Sequence, residues 1–288
     1  MAKKPPARRK RRRGGLDRWI VAGIILSLSV IALALWGPLR NYLPGAHQRP
    51  ETRQKQRADA KRGKAPGKTA MVAIVVDDLG MDLKQAGEVL SLPGKVTLAV
   101  MPGLAQSKAV AELARRNNRE VLLHLPMEPR GSNGSPAPGM LRSDMTPMEF
   151  LNTVSDDVAS VPGAFGINNH EGSALTENSE AMKFLMAELK ARDLAFLDSF
   201  TTPNSVAHAT AREFGLKTAR RDVFLDNDPD NPASIRKQLD TLVELAQKNG
   251  KAIGIGHPHP ATISELRKWL AEAGSQGVEV VPVSRLMQ

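Results

Sequence analysis

The sequence predicts an α/β domain whose parallel strands curl into a distorted (β/α)7–8 barrel over residues 71–288. Three observations predict it. From Met71 onward, short apolar runs alternate with amphipathic stretches of helical length, the pattern of repeated β/α units. The apolar runs are near-continuous rather than alternating with polar residues, so the sheet they form is buried on both faces. Seven or eight such units in 218 residues suit a barrel better than an open sheet.

Strands are expected at MVAIVV (71–76), KVTLAVM (95–101), EVLLHL (120–125), AFGIN (164–168), LAFLD (194–198), DVFLD (222–226), AIGIG (252–256) and VEVVPV (278–283). Helices are expected near 82–91, 104–118, 147–160, 177–192, 204–214, 232–249 and 261–273. Thr146-Pro147 and Asn231-Pro232 read as helix starts, because proline at the first helical position gives up only an amide that has no intrahelical partner. Gly250 reads as a helix stop, since it accepts the left-handed conformation that ends helices.

The net charge of +10 is unevenly spread. Residues 1–70 hold 18 Lys/Arg against 3 Asp/Glu, and residues 71–288 hold 22 against 27. The high pI therefore belongs to the N-terminal stretch, and a mildly acidic domain argues against a nucleic-acid partner. Residues 1–18 form a basic block, and Trp19 to Leu39 contains no charged residue. Its 21 residues would span roughly 30 Å as a helix, about the hydrocarbon thickness of a bilayer. Trp19 and Trp36 sit near the two ends, where interfacial aromatics are favoured. The expectation is a cytoplasmic tail at 1–18, a transmembrane anchor in the inner membrane at 19–39, and a flexible basic linker at 40–70. The barrel at 71–288 would then lie in the periplasm. The small-x-small pattern Ala32-Leu33-Ala34 offers the alternative of a cleaved signal peptide and a secreted domain.

With no cysteine, the chain has no disulfide, thiolate metal site or cysteine nucleophile. HExxH, GxSxG and GxxxxGK[ST] are absent, which removes zincins, α/β-hydrolases and P-loop enzymes, and GxGxxG is absent too. What remains is a set of titratable residues at strand ends. Asp77 and Asp78 end the first strand, His124 the third, Asp198 the fifth and Asp226 the sixth. Asn169 and His170 follow the fourth, and His257 and His259 the seventh. In α/β barrels that rim carries the active site. Each residue also has a bland reading: an Asp after a strand is often a helix cap, and a lone buried His is usually structural. Four of the six histidines gathering at one rim favours chemistry. Carboxylates with imidazoles and no thiolate suit a hydrolytic divalent metal such as Zn2+, Mn2+, Fe2+ or Co2+.

At these residues the sequence resembles the polysaccharide deacetylases, and specifically their divergent branch, over nearly all of 71–288. AIVVDDLG (73–80) is similar to the first deacetylase motif, an apolar strand ending in Asp-Asp and Gly. REVLLHLPMEP (119–129) resembles the second, except that Glu128 stands where typical members place a second His. GINNHEGSALT (166–176), with Ser173, takes the place of the third motif, whose usual Arg-x-Pro is missing. FLDSFTTP (196–203) and KAIGIGHPHPATISELRKWL (251–270) resemble the fourth and fifth. The resemblance implies a metal-dependent deacetylase acting on N-acetylated polysaccharide or peptidoglycan, with Zn2+ the first metal to expect. It implies Asp78, His124 and His170 as metal ligands, Asp77 as general base and His257 as general acid. Asp198 would orient His257. Glu128 would be a fourth ligand or support the other three, Asn169, Ser173, Asp226 and His259 would bind substrate or support the ligands, and a backbone amide near Leu79 would complete an oxyanion hole. A catalytically weak, glycan-binding scaffold is the alternative.

Overall fold

The computed structural model describes residues 69–131 and 137–288. The expected tail at 1–18, anchor at 19–39 and all but the last two residues of the linker at 40–70 lie outside them. Among the described residues, no helix is long and apolar enough to cross a membrane.

Strands and helices alternate from the first described residues. In order they are β1 (Ala70–Leu79), α1 (Leu83–Leu90), β2 (Thr97–Val100), α2 (Ser107–Arg116), β3 (Val121–Met127), α3 (Pro147–Ser160) and β4 (Gly166–Glu171). There follow α4 (Ser179–Ala191), β5 (Ala195–Asp198), α5 (Ala207–Glu213), β6 (Thr218–Arg220), β7 (Val223–Phe224), α6 (Pro232–Asn249), β8 (Lys251–Gly256), α7 (Pro260–Glu272) and β9 (Val278–Val280). Thr146 caps α3 through a reciprocal capping box with Glu149, with Pro147 at the first position. Asn231 caps α6, which Gly250 ends at φ 83°. Asp82, not Asp78, caps α1 by accepting from the Lys84 amide.

All neighbouring strands pair in parallel, in the order β6-β5-β4-β3-β2-β1-β8-β7, with β9 beside the start of β1. The sequence suggests one strand at 222–226. The chain instead makes two short ones, and the first of them, Thr218–Arg220, carries no apolar alternation to announce it. Only Arg221 and Asp222 separate them, yet β6 pairs with β5 and β7 pairs with β8. The chain thus crosses directly from one end strand of the curled sheet to the other, and because β6 and β7 do not pair with each other the expected closed barrel is an open half-barrel.

The sheet has two cores because successive side chains point to opposite faces. Val72, Ile74 and Val76 of β1 pack in the larger cluster under the helices. Ala73 and Val75 join Ala99, Leu122, Leu197, Ile253 and Ile255 in a smaller inner cluster. Residues that continue the inner face toward the C-terminal ends of the strands emerge together at one rim.

Candidate active site

The rim site begins with a local irregularity. In a regular strand Asp77 and Asp78 would point to opposite faces. The β1–β2 register shifts between Val76 and Leu79, and Asp78 takes φ 58°. A bulge of this kind re-aims a side chain, and here it brings both carboxylates to the same place.

His124 on β3 and His170 on β4 complete the arrangement. Asp78 Oδ1 lies 3.1 Å from His124 Nε2 and 2.9 Å from His170 Nδ1. The two imidazole nitrogens are 3.2 Å apart. Donors about 2.0 Å from a tetrahedral ion stand about 3.3 Å from one another, so this triangle has the dimensions of one face of a coordination shell. The ligand tautomer is set from behind: His124 Nδ1 donates to Asn168 Oδ1 at 3.0 Å, which frees the Nε2 lone pair for the centre. The three residues therefore fit a divalent transition metal, with room for further ligands on the solvent side.

Asp77 flanks the triangle. Its carboxylate is buried, accepts from Asn168 Nδ2 at 2.9 Å and lies 3.6 Å from His124 Nε2. Burial pushes its carboxyl above the ordinary range, against the lowering influence of His124 and His257. For Asp78 burial acts in the same upward direction, but the hydrogen bonds of His124 and His170 outweigh it and keep the group ionised. His257 approaches from β8, its Nε2 3.8 Å from Asp78 Oδ2. Its Nδ1 is 3.0 Å from Asp226 Oδ1, and its backbone amide and the Thr262 hydroxyl both donate to Asp226 Oδ2. Burial alone would lower the His257 pKa, but the Asp226 hydrogen bond and the charges of Asp77, Asp226 and Asp78 bring it to about 8.

The structure corrects the expectation for Asp198. Its oxygens accept from the Phe200 amide and from the Ser205 hydroxyl and His208 amide, and neither bonds His257. The reason is strand parity: Asp198 follows Phe196 of the outer core, whereas the inner face runs through Ala195 and Leu197 to Ser199. Asp226 takes the position beside His257 instead. Glu128 also turns elsewhere, accepting from the Ser143 amide and hydroxyl. Ser173 accepts from the Arg130 amide. Asn169 ties β4 to the loop after β5, accepting from the Ser199 amide and donating to the Glu171 carbonyl. His259 is exposed and stands beside His257, their ring centroids 5.8 Å apart. Asp226, His257 and His259 have ligand atoms within 4.8 Å of one another. Both Asp226 oxygens are already engaged there, so this group reads as an oriented imidazole rather than a second metal site.

Two residues that sequence reasoning missed belong to the site. Asn168, fully buried, links Asp77 to His124. Its signal was period two: it shares a strand face with His170. Arg221 lines the site cavity, about 390 Å³ in volume, together with Asp77, His124, His170, Phe224 and His257. Nothing in the sequence around it marks it. Replacing Asn168 with Ala should remove the bond that fixes the His124 tautomer. Metal affinity should then fall roughly 10- to 100-fold, measured by competition with a chelating dye. Unchanged affinity would show that Asn168 has no part in ligand geometry.

Comparison with known proteins gives the following. The family model described as divergent polysaccharide deacetylase matches residues 74–287. An uncharacterized protein of Escherichia coli K12, YibQ, is 39% identical over 204 residues, which make up 71% of this chain and 63% of that protein. The match thus spans less than two thirds of that relative's length. An uncharacterized protein of Haemophilus influenzae Rd is 36% identical over 199 residues, 69% of this chain and 70% of that protein. Among solved structures, an uncharacterized protein of Agrobacterium tumefaciens C58 (ATU2773) superposes with a TM-score of 0.73 at 29% identity. That superposition covers 80% of this chain and 94% of the other.

Proposed function

The chain belongs to the divergent polysaccharide deacetylase family, and from that premise we propose that it is a metal-dependent hydrolase that removes acetyl groups from an N-acetylated polysaccharide of the cell envelope. The observation that carries this reading is the three-donor triangle of Asp78, His124 and His170, with a buried carboxylate and an oriented imidazole beside it. Three protein ligands rather than four suit a catalytic site, which keeps a coordination position open. That favours turnover over a purely glycan-binding role.

A divalent metal such as Zn2+ held by these residues would supply Lewis acidity and a water acidified toward neutral pH. The chain's own groups then divide the proton work. Asp77, ionised, accepts the proton from the attacking water. Its raised pKa makes it a stronger base than a solvent-exposed aspartate. His257, protonated at Nε2, donates to the departing sugar nitrogen. Asp226 holds the ring by Nδ1 and stabilises its positive charge.

The two groups must be in opposite protonation states, so kcat/KM should be bell-shaped in pH. The alkaline limb should fall near pH 8, where His257 loses its proton. Asp226→Asn removes the charge that raises His257, so that limb should move to lower pH. A profile flat from pH 7 to 10 would contradict His257 as the acid. The test of the function itself is acetate release from N-acetylated oligosaccharide by the purified, metal-loaded protein.

The envelope location is inferred from the basic block before the uncharged span at 19–39. It places residues 1–18 inside and the deacetylase domain outside. A C-terminal alkaline phosphatase fusion should be active and a cytoplasm-dependent reporter silent. The reverse pattern would contradict the topology.

A further inference from the structure

The wall of the site cavity carries a cation that the deacetylation chemistry above does not use. Arg221 sits in the two-residue break between β6 and β7 and is half-buried. Its Nε donates to the Ser199 carbonyl at 2.6 Å and its Nη2 to the Phe200 carbonyl at 2.9 Å. Among the described residues its Nη1 has no acceptor, and no carboxylate pairs with the guanidinium: Asp77 and Asp198 act on it only through space. The two carbonyl bonds restore part of the hydration that this half-buried charge has lost, and no counter-ion pairs with it directly. Arg119 likewise donates to two carbonyls, of Leu90 and Leu92, but is not among the residues lining the site cavity.

The position of Arg221 says which part of a ligand it would meet. Its guanidinium lies 4.9 Å from the ring centre of Phe224, and that ring meets the His257 imidazole edge-on at 5.4 Å. One aromatic ring therefore separates the cation from the imidazole assigned to the leaving nitrogen. Stacking on Phe224 and the two carbonyl bonds fix the guanidinium plane before any ligand arrives, so the remaining N–H donors are preorganised for a planar acceptor.

We infer that the substrate of this site is an N-acetylated sugar that carries a carboxylate on the reacting residue or its neighbour, and that Arg221 receives that carboxylate. This rests on the deacetylase reading and narrows its substrate class from N-acetylated polymers in general to acidic ones, of which a lactyl-bearing muramyl residue is the simplest chemical example.

The test compares one sugar with and without its charge. The probes are the N-acetylglucosaminyl–N-acetylmuramic acid disaccharide and the methyl ester of its lactyl group, given to the full-length, metal-loaded protein in detergent. The free acid should be favoured in kcat/KM by about tenfold or more, chiefly through KM, as expected for a hydrogen bond to a charged group. Arg221→Gln should bring the acid-to-ester ratio close to one, and Arg221→Lys, which keeps the charge without the fork, should give an intermediate ratio. Calorimetric binding of acid and ester should follow the same order, and it reads the inference even if neither sugar is turned over. Equal binding of acid and ester by the parent protein would overturn it. So would an Arg221→Gln variant that weakens both alike, because that is the behaviour of a residue that only braces the Ser199–Phe200 loop. Absence of turnover with acid still preferred over ester in binding would instead count against the deacetylase reading alone.

Discussion

Asp77→Asn should keep the metal and lose turnover by roughly 10²- to 10⁴-fold, the range that a positioned general base contributes. The substitution is close to isosteric. Its amide can still meet Asn168 and sits beside the ligand triangle without being part of it. Loss of the negative charge removes the proton acceptor, so kcat should fall while KM changes little. His257→Ala should also keep the metal, and its loss should be partly rescued by added imidazole. If Asp77→Asn retains parental kcat, the base is another group and Asp77 does not take the proton from the attacking water.

His124→Ala and His170→Ala should each remove most of the bound metal, with activity lost in proportion. A ligand that binds only the folded state stabilises it by about 4 kcal/mol at a thousandfold excess over its Kd. Added metal should therefore raise the Tm of the parent protein and leave that of both variants nearly unchanged. His170 is the cleaner experiment because it is half-buried and its truncation leaves little cavity, whereas His124 is buried against Asn168. Parental metal content in both variants would reduce the pair to a packed core histidine and a loop histidine.

The order of strands and helices was legible because most strands announce themselves by a β-rich apolar run, and four of the helices that follow add capping chemistry at Asp82, Thr146, Asn178 and Asn231. The helices at 147–160 and 232–249 were readable to the residue from Thr146-Pro147, Asn231-Pro232 and Gly250. Of the broken strand at 218–224, β7 lies inside the expected 222–226, but β6 and the break were not legible: TAR is too short to show a period, and its pairing with β5 while β7 pairs with β8 depends on the sheet curling.

The residues of the candidate site were legible as a set, and their contacts only in part. That strand ends converge follows from a parallel sheet. Which side chain faces inward follows from counting by two along each strand. That count starts from small inner residues such as Ala73 and Ala195, which look unremarkable in sequence. Applied to β5 it turns Asp198 outward. Applied to β4 it turns Asn168 inward beside His170. The rule fails at Asp78 because the bulge in β1 adds a residue, and a bulge leaves no mark in composition. Arg221 was hidden for a different reason: its role depends on the seam between two strands that sequence cannot pair.

The most direct test of the central claim is acetate release from an N-acetylated oligosaccharide before chelation, after it, and after stoichiometric restoration of a divalent transition metal, with metal content measured on the same samples. The expected result is about one metal per chain, turnover that disappears with it, and turnover that returns when one equivalent is restored. Full activity in protein stripped of metal, or one firmly bound metal with no deacetylation of any N-acetylated sugar, would contradict it.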